Sequence, residues 1–313
     1  MPLETVIAAS HRASRLENEL KKVIRGKDEI VRLALVSVLA RGHLLIEGVP
    51  GVGKTTLAHA LARCLGCSFQ RVQFTSDMLP SDIIGISIYS VAEQKFEFKR
   101  GPVFTNVLLA DEINRTTPKT QSALLEAMNE GQVTVDAVCH ALPQPFLVIA
   151  TQNPVEHHGT YPLPESQLDR FLMRISLGYP DAAHERALLA AGDQRDLLAG
   201  MAPALNAEGV RELQAAAQRV HVAPALLEYV QRLLASTRGR SDIPIGLSPR
   251  AGQGLVRAAR AWALIDGREL TLPEDVQAVF AAVASHRLES ASATAGDHAS
   301  FIAAIARGVP VPV

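Results

Sequence analysis

The sequence has no surplus of basic charge, no long apolar run free of polar residues, no apolar core in its opening residues and few cysteines, and each shortage argues against a class of function. Lysine and arginine total 31 against 32 acidic residues, a formal net charge of -1, so no global positive field draws in nucleic acid. Only a local basic groove would serve such a partner, and no nucleic acid is expected. The longest charge-free stretch, Ala137 to Val155, holds three prolines together with His140, Gln144, Gln152 and Asn153, a mixture that a membrane helix does not carry. No membrane insertion is expected. The opening MPLETVIAASHRASRLENELKK is polar and charged throughout, without the apolar core of a secretion signal, and a cytoplasmic location follows as an expectation. Of the three cysteines, Cys64 and Cys67 form a CxxC. They follow a helix expected to begin at Lys54 instead of opening one, so a packing role is expected over a redox role. No repeat of fixed period and no low-complexity tract stands out.

What is present is ample apolar material: 48% of 313 residues are hydrophobic and 20% charged, enough for one large domain and a smaller one. From Gly42 to Val49 the run GHLLIEGV reads as a buried strand feeding a turn. Leu57, Leu61 and Leu65 then recur at helical spacing until Gly66. Phe69 to Phe74, Val107 to Ala110, Phe146 to Thr151 and Phe171 to Leu177 are further strands, and Thr117 and Pro118 open a helix that turns Leu124, Leu125 and Met128 inward before Gly131. Strands alternating with helices predict a doubly wound α/β fold with a parallel sheet. Within it, Ile86 to Phe98 alternates apolar and polar residues and reads as a small inserted hairpin. Beyond Pro180 the chain turns alanine- and leucine-rich, as in Glu228 to Ser236 and Arg250 to Ile265, and predicts an all-helical second domain. The expected division is 1–180 and 181–313.

Residues Gly48 to Thr55, GVPGVGKT, fit G-x-x-x-x-G-K-[ST] between the expected strand and helix. The glycines let backbone N–H groups and a helix N-terminus face the phosphates of a nucleotide. Lys54 reaches the β- and γ-phosphates and Thr55 ligates magnesium, so Gly48, Pro50, Gly51, Val52, Gly53, Lys54, Thr55 and Thr56 form the candidate phosphate-binding set. The run VLLADE delivers Asp111 and Glu112 to the C-terminal end of a strand, where ligands bind in open α/β sheets. Asp111 is the candidate magnesium holder and Glu112 the group that polarises the attacking water. Taken alone, such an acidic pair is as readily a solvated strand end. Asn153, closing FLVIATQN, either orients that water or simply makes the turn before Pro154.

The combination of GVPGVGKT, LLADEINR, ATQNP, GTYPLPESQLDRF and GLSPRA, starting from VIRGKDE near the N-terminus, resembles the MoxR family of AAA+ ATPases over most of the chain. The resemblance implies a P-loop AAA+ domain with a helix-2 insert at Ile86 to Phe98 and a smaller all-helical lid domain. It implies ATP and Mg2+ as ligands, assembly of the chain with itself into a ring expected to be a hexamer, and chaperone-like remodelling of, or metal insertion into, a protein client. A partner carrying a von Willebrand factor A domain is a further implication. By position, Asn153 becomes sensor 1, Arg170 a trans-acting arginine finger with Arg174 as the alternative, and Arg250 sensor 2. Ser248 and Pro249 before Arg250 read as an N-cap and first helical position, which puts that arginine in the first turn of a helix. Val23 to Gly26 would lie near the adenine. Gln73 is a candidate restraint on Glu112, read from its strand position. Glu156, His157 and His158 read as a solvated loop, since adjacent histidines seldom converge on one ion. A nucleic-acid-associated motor and an ATP-gated scaffold with little turnover are the competing functions. Glu112 and Arg170 speak against the scaffold, which needs no water-activating acid.

Overall fold

A computed structural model describes residues 5–153, 159–180, 182–190, 198–289 and 298–311. It divides into two compact units, one of residues 43–170 and 176–207, the other of residues 1–42, 171–175 and 208–313.

The first unit is built on parallel strands that lie side by side in the order β2 (Phe69–Gln73), β5 (Val107–Asp111), β8 (Leu147–Gln152), β1 (Leu44–Glu47). The sheet's fifth strand is β9 (Met173–Ser176). Strand β5 is buried at every position and β8 at all but its last, which is why their sequences are continuous in apolar residues instead of alternating. Register aligns Ile46 of β1 with Thr151 of β8, and Ala110 of β5 with Ala150 of β8. The C-terminal ends of β1, β8 and β5 therefore finish level with one another. After β1 the helix α3 (Lys54–Cys64) buries Leu57 and Leu61. Helix α5 (Pro118–Glu130) follows Thr117 as N-cap and stops at Gly131, and it buries Leu124, Leu125 and Met128. The Thr117 side chain forms no capping bond to the helix, so proline at the first position starts α5 unaided.

Between β2 and β5 come the short helix α4 (Pro80–Ile84) and an antiparallel hairpin of β3 (Gly85–Ser90) and β4 (Lys95–Arg100), as the alternation there predicts. A second hairpin, β6 (Gln132–Val135) with β7 (Val138–Ala141), was not expected. Its two-residue turn is Asp136 and Ala137, both at positive φ (49° and 63°), the twist that joins strands tightly. Phe98 of β4 stacks on His140 of β7 with ring centroids 4.1 Å apart, tying the two hairpins together. Downstream lie α6 (Glu165–Leu168) and α7 (Ala182–Ala190).

The second unit is helical, and its first members are the N-terminal helices α1 (Val6–Val23) and α2 (Asp28–Leu39). In α1 the buried residues Ala9, Ala13, Leu16 and Leu20 form a single stripe, and Thr5 caps its start by accepting from the Ala8 N–H at 3.3 Å. That stripe packs on the helix Pro249–Ile265, which also contacts α2, Pro224–Arg238 and Pro273–Ala284. Pro249–Ile265 tolerates so many neighbours because it is lined with small residues. A Cβ added at Gly252 would stand 2.7 Å from Leu234 Cδ1, and one at Gly254 2.9 Å from Leu172 Cδ1.

The compact units thus differ from the division at residue 180 expected from composition. Residues 1–42 group with the C-terminal helices because the apolar faces of α1 and α2 are buried there, and 171–175 group with them through Arg174, His286 and Arg287. No helix among the described residues is long and apolar enough to cross a membrane.

Candidate functional site

Chain direction and register bring the P-loop and the acidic pair to one edge of the sheet. Strand β1 ends at Glu47 and the loop runs to Gly53, the left-handed N-cap of α3 (φ 97°, ψ 17°). Gly51 is also left-handed, at φ 86°. A Cβ built on either glycine meets nothing within 4 Å, so these residues are glycine for their backbone shape and leave open space on that side. Lys54 curls back over the loop: its Nζ donates to the Gly48 carbonyl and, at 3.3 Å, to that of Val49. Thr55 and Thr56 occupy the first turn of α3, beside its N-terminal N–H groups. A curled backbone, a helix start and one lysine are the donor set a polyphosphate requires, and the residues present fit that group.

Asp111 is the last residue of β5 and is buried. Its Oδ1 accepts from the Thr151 hydroxyl at 2.6 Å, and its Oδ2 from Arg71 Nη2 at 2.7 Å and Nε at 3.1 Å. Glu112 adopts the left-handed conformation (φ 57°, ψ 50°) before the short 3-10 turn Ile113–Arg115. For a residue with a side chain that costs about 1–2 kcal/mol, and such strain concentrates at functional positions. Its N–H donates to Thr151 Oγ1 at 2.9 Å. Its Oε2 accepts from Gln73 Nε2 at 2.6 Å and from Arg115 Nη1 at 2.9 Å. Each of the two adjacent carboxylates therefore carries its own arginine. Among the described residues no cluster of three or more His, Cys, Asp or Glu could hold a metal. One buried carboxylate beside a threonine suits an ion that keeps most of its ligands as water and phosphate oxygen, as Mg2+ does.

Asn153 follows β8 and is buried. Register sets Gln152, the residue before it, opposite Glu47, where the P-loop begins. Gln121 was not anticipated from sequence. Buried on α5, its Nε2 donates to the carbonyls of Ile113, Thr116 and Tyr161, while the Tyr161 N–H donates to the Asn114 carbonyl at 2.6 Å. The GTYPLPE segment is thereby fastened to the loop that follows Glu112. Asn114 Oδ1 and Thr116 Oγ1 are buried in that loop without a partner.

Arg170 lies after α6, and its Nη1 donates to the Leu125 carbonyl at 2.6 Å. Arg174, the alternative finger, belongs to the helical unit, where it binds the Ser285 hydroxyl at 3.3 Å and the Ser285 carbonyl at 2.8 Å. Arg250 also belongs to that unit and sits in the first turn of Pro249–Ile265, whose N-cap Ser248 accepts from the Ala251 N–H at 3.0 Å. The P-loop residues, Asp111, Glu112, Asn153 and Arg170 all fall in the other unit. Glu156, His157 and His158 lie outside the described residues. Val23 ends α1, and Gly26 turns the chain at φ 71°. Cys64 and Cys67 form no disulfide, Cys64 is fully buried, and burial pushes the Cys67 thiol up to about 11, the reverse of what a redox pair needs.

Of the missed groups, Arg115 and Thr151 lie within LLADEINR and ATQNP without being singled out there, and Arg71 and Gln121 carry no motif. Only the position of Arg71 two residues before Gln73 on β2, with its side chain on the same face, hinted at a connection.

Residues 43–173 match the model of the ATPase family associated with various cellular activities (AAA), and residues 235–304 match the AAA lid domain. The chain is 43% identical to Chaperone MoxR1 of Mycobacterium tuberculosis, over 91% of this chain and 78% of that one. It is 36% identical to Protein MoxR of Paracoccus denitrificans over 87% of each. A crystal structure from Cytophaga hutchinsonii superposes with a TM-score of 0.83 at 36% identity, covering 98% of both chains.

Proposed function

Because the chain belongs to the MoxR family of AAA+ ATPases, we propose that it hydrolyses Mg-ATP and couples that reaction to remodelling of, or metal insertion into, a protein client. The observation that carries the reading is the level alignment of β1, β8 and β5, which directs the P-loop, Asn153 and the Asp111–Glu112 pair to the same sheet edge.

In this mechanism Lys54 exchanges the Gly48 and Val49 carbonyls for the β- and γ-phosphate oxygens, and the loop and α3 N–H groups hold the remaining phosphate charge. Thr55 and Asp111 would hold Mg2+, which would supply positive charge to the phosphate oxygens. Glu112 accepts a hydrogen bond from a water and turns its lone pair toward the γ-phosphorus, while Asn153 fixes that water's orientation. Arg170 meets the charge that builds as the γ-phosphoryl leaves a neighbouring subunit's nucleotide, and Arg250 acts as sensor 2. A trans arginine requires a neighbouring subunit, for which a hexameric ring is our reading, with the helical C-terminal residues as lid. Remodelling is supported by the chaperone name of the Mycobacterium relative. A von Willebrand factor A domain partner and a cytoplasmic location complete the proposal.

Lys54→Ala and Glu112→Gln separate the steps. The first is expected to lose nucleotide binding, and the second to keep binding and lose at least about a hundredfold in turnover, within the range of general acid–base contributions. A nucleotide titration run beside a phosphate-release assay checks both, and near-normal turnover by Glu112→Gln would remove the acid from the mechanism.

A further inference from the structure

Arg71 touches the surroundings of both carboxylates. Its Nε and Nη2 form a fork on Asp111 Oδ2, at 3.1 and 2.7 Å, and the same Nη2 donates to Gln73 Oε1 at 3.2 Å. Gln73 in turn donates through Nε2 to Glu112 Oε2 at 2.6 Å. An unbroken hydrogen-bonded line thus runs from the carboxylate that would hold the metal to the carboxylate that would activate water. The two ends differ in freedom. Asp111 Oδ1 is secured by the buried Thr151 hydroxyl, whereas among the described residues Oδ2 is held from Arg71 alone, a side chain half exposed on β2.

We propose that Arg71 is a metal-responsive positioning residue: it occupies Asp111 in the absence of Mg2+ and, when displaced from it, loosens the hold of Gln73 on Glu112. This rests on the Mg-ATP reading above. The physical basis is competition for one acceptor. Asp111 Oδ2 already carries two N–H bonds from a guanidinium, and a divalent ion or its bound water would compete for that oxygen. The cation on Arg71 also repels the incoming ion. As Arg71 withdraws, the Gln73 amide loses the donor on its oxygen and becomes free to rotate, so Glu112 sheds one of its two anchors. Arg115 Nη1 remains on Glu112 Oε2 and keeps the carboxylate from swinging away altogether. Metal occupancy and release of the water-activating acid are coupled through these two side chains, and by reciprocity anything that turns Glu112 away from Gln73 eases metal binding.

The test compares full-length wild type with Arg71→Gln, Arg71→Lys and Gln73→Leu, each checked for folding by circular dichroism. Mn2+ affinity is measured by electron paramagnetic resonance with saturating non-hydrolysable ATP analogue, and nucleotide affinity by fluorescence titration in EDTA. Removing the competing, half-exposed charge in Arg71→Gln is expected to tighten Mn2+ binding by about three- to tenfold. It should leave metal-free nucleotide affinity unchanged and lower the Mg2+ concentration at half-maximal phosphate release. Arg71→Lys keeps the charge but not the fork and is expected to fall between wild type and Arg71→Gln in Mn2+ affinity. Gln73→Leu leaves the Arg71 fork on Asp111 but removes one anchor of Arg71 and the hold on Glu112, so by the same reciprocity it should tighten Mn2+ binding less than Arg71→Gln does, by no more than about twofold. Unchanged or weaker Mn2+ binding by folded Arg71→Gln overturns the proposal, as does an equal tightening in Gln73→Leu. Failure of the underlying ATP reading looks different, because wild type would then bind no nucleotide in either assay.

Discussion

Replacing Thr151 with valine isolates what one buried hydroxyl contributes to the site. Thr151 has no solvent exposure, and its Oγ1 both donates to Asp111 Oδ1 at 2.6 Å and accepts from the Glu112 N–H at 2.9 Å. Valine has nearly the same shape, so the change leaves no cavity and the cost is that of two hydrogen bonds. The bond to an ionised carboxylate contributes about 1.5–3 kcal/mol, and a backbone N–H left unpaired costs about 1–3 kcal/mol. The Glu112 side chain is 24% exposed, so water has partial access to its surroundings and the sum falls near the lower end, about 3 kcal/mol. Serine keeps both bonds and loses one methyl, about 1 kcal/mol. Urea unfolding followed by far-UV circular dichroism measures the difference, since the single tryptophan, Trp262, reports on the helical unit. The expected order is wild type, then Thr151→Ser, then Thr151→Val, with about 2 kcal/mol between the two variants. Thr151→Val should also lose more ATP turnover than ATP binding, because the Asp111 carboxylate and the Glu112 backbone are both released. Equal stability of the valine and serine variants, within about 0.5 kcal/mol, would refute the assignment of these bonds as the tie between the two acids.

Three further outcomes are expected. His286 donates from Nε2 to the Phe171 carbonyl at 3.0 Å while its buried Nδ1 has no partner, so burial first and then Arg287 and Arg174 hold its pKa well below the usual value. The folded state resists a proton that the unfolded state takes near pH 6.5, so this stability is present above that pH and is lost below it, by about 1.4 kcal/mol per pH unit. Trp262 fluorescence during urea unfolding at pH 7.5 and 5.5 reads the loss, and His286→Gln should flatten it. With Cys64 fully buried and Cys67 pushed up to about 11, only the exposed Cys139 should react quickly with a thiol reagent at pH 8, and Cys139→Ser should abolish that phase. The Cys67 contribution to stability is present below the ordinary thiol pKa and fades as pH rises toward 11. Finally, Arg170→Ala and Lys54→Ala subunits, each nearly inactive alone, should recover ATPase activity when mixed under conditions of subunit exchange. Exchange confirmed by an independent label without recovery at any ratio would shift attention to Arg174.

Much of the nucleotide-binding unit is legible in the sequence because its signals are local. A P-loop is a property of consecutive residues: glycines reach left-handed φ at Gly51 and Gly53 whatever surrounds them, and the helix starts where the loop ends. Strand β5 announces itself by continuous apolar residues ending in two acids, and the β3–β4 hairpin by alternation. The β6–β7 hairpin escaped although Val133, Val135 and Val138 carry a strand-like pattern, because its turn is Asp136–Ala137, with no glycine to mark the positive φ that both residues adopt.

What only the tertiary structure decided is which partner each side chain meets. The apolar stripe of α1 states that one face must be covered, and nothing in its spacing says that the cover is Pro249–Ile265, more than two hundred residues away. In the same way Asp111 and Glu112 are adjacent in sequence, yet Arg71, Gln73 and Thr151 reach them from strands that parallel pairing brings alongside. Periodicity and motifs describe a residue's own conformation and its appetite for burial. Contacts between distant segments depend on strand order and register, which are set by the whole sheet at once and leave no mark on any short stretch of sequence.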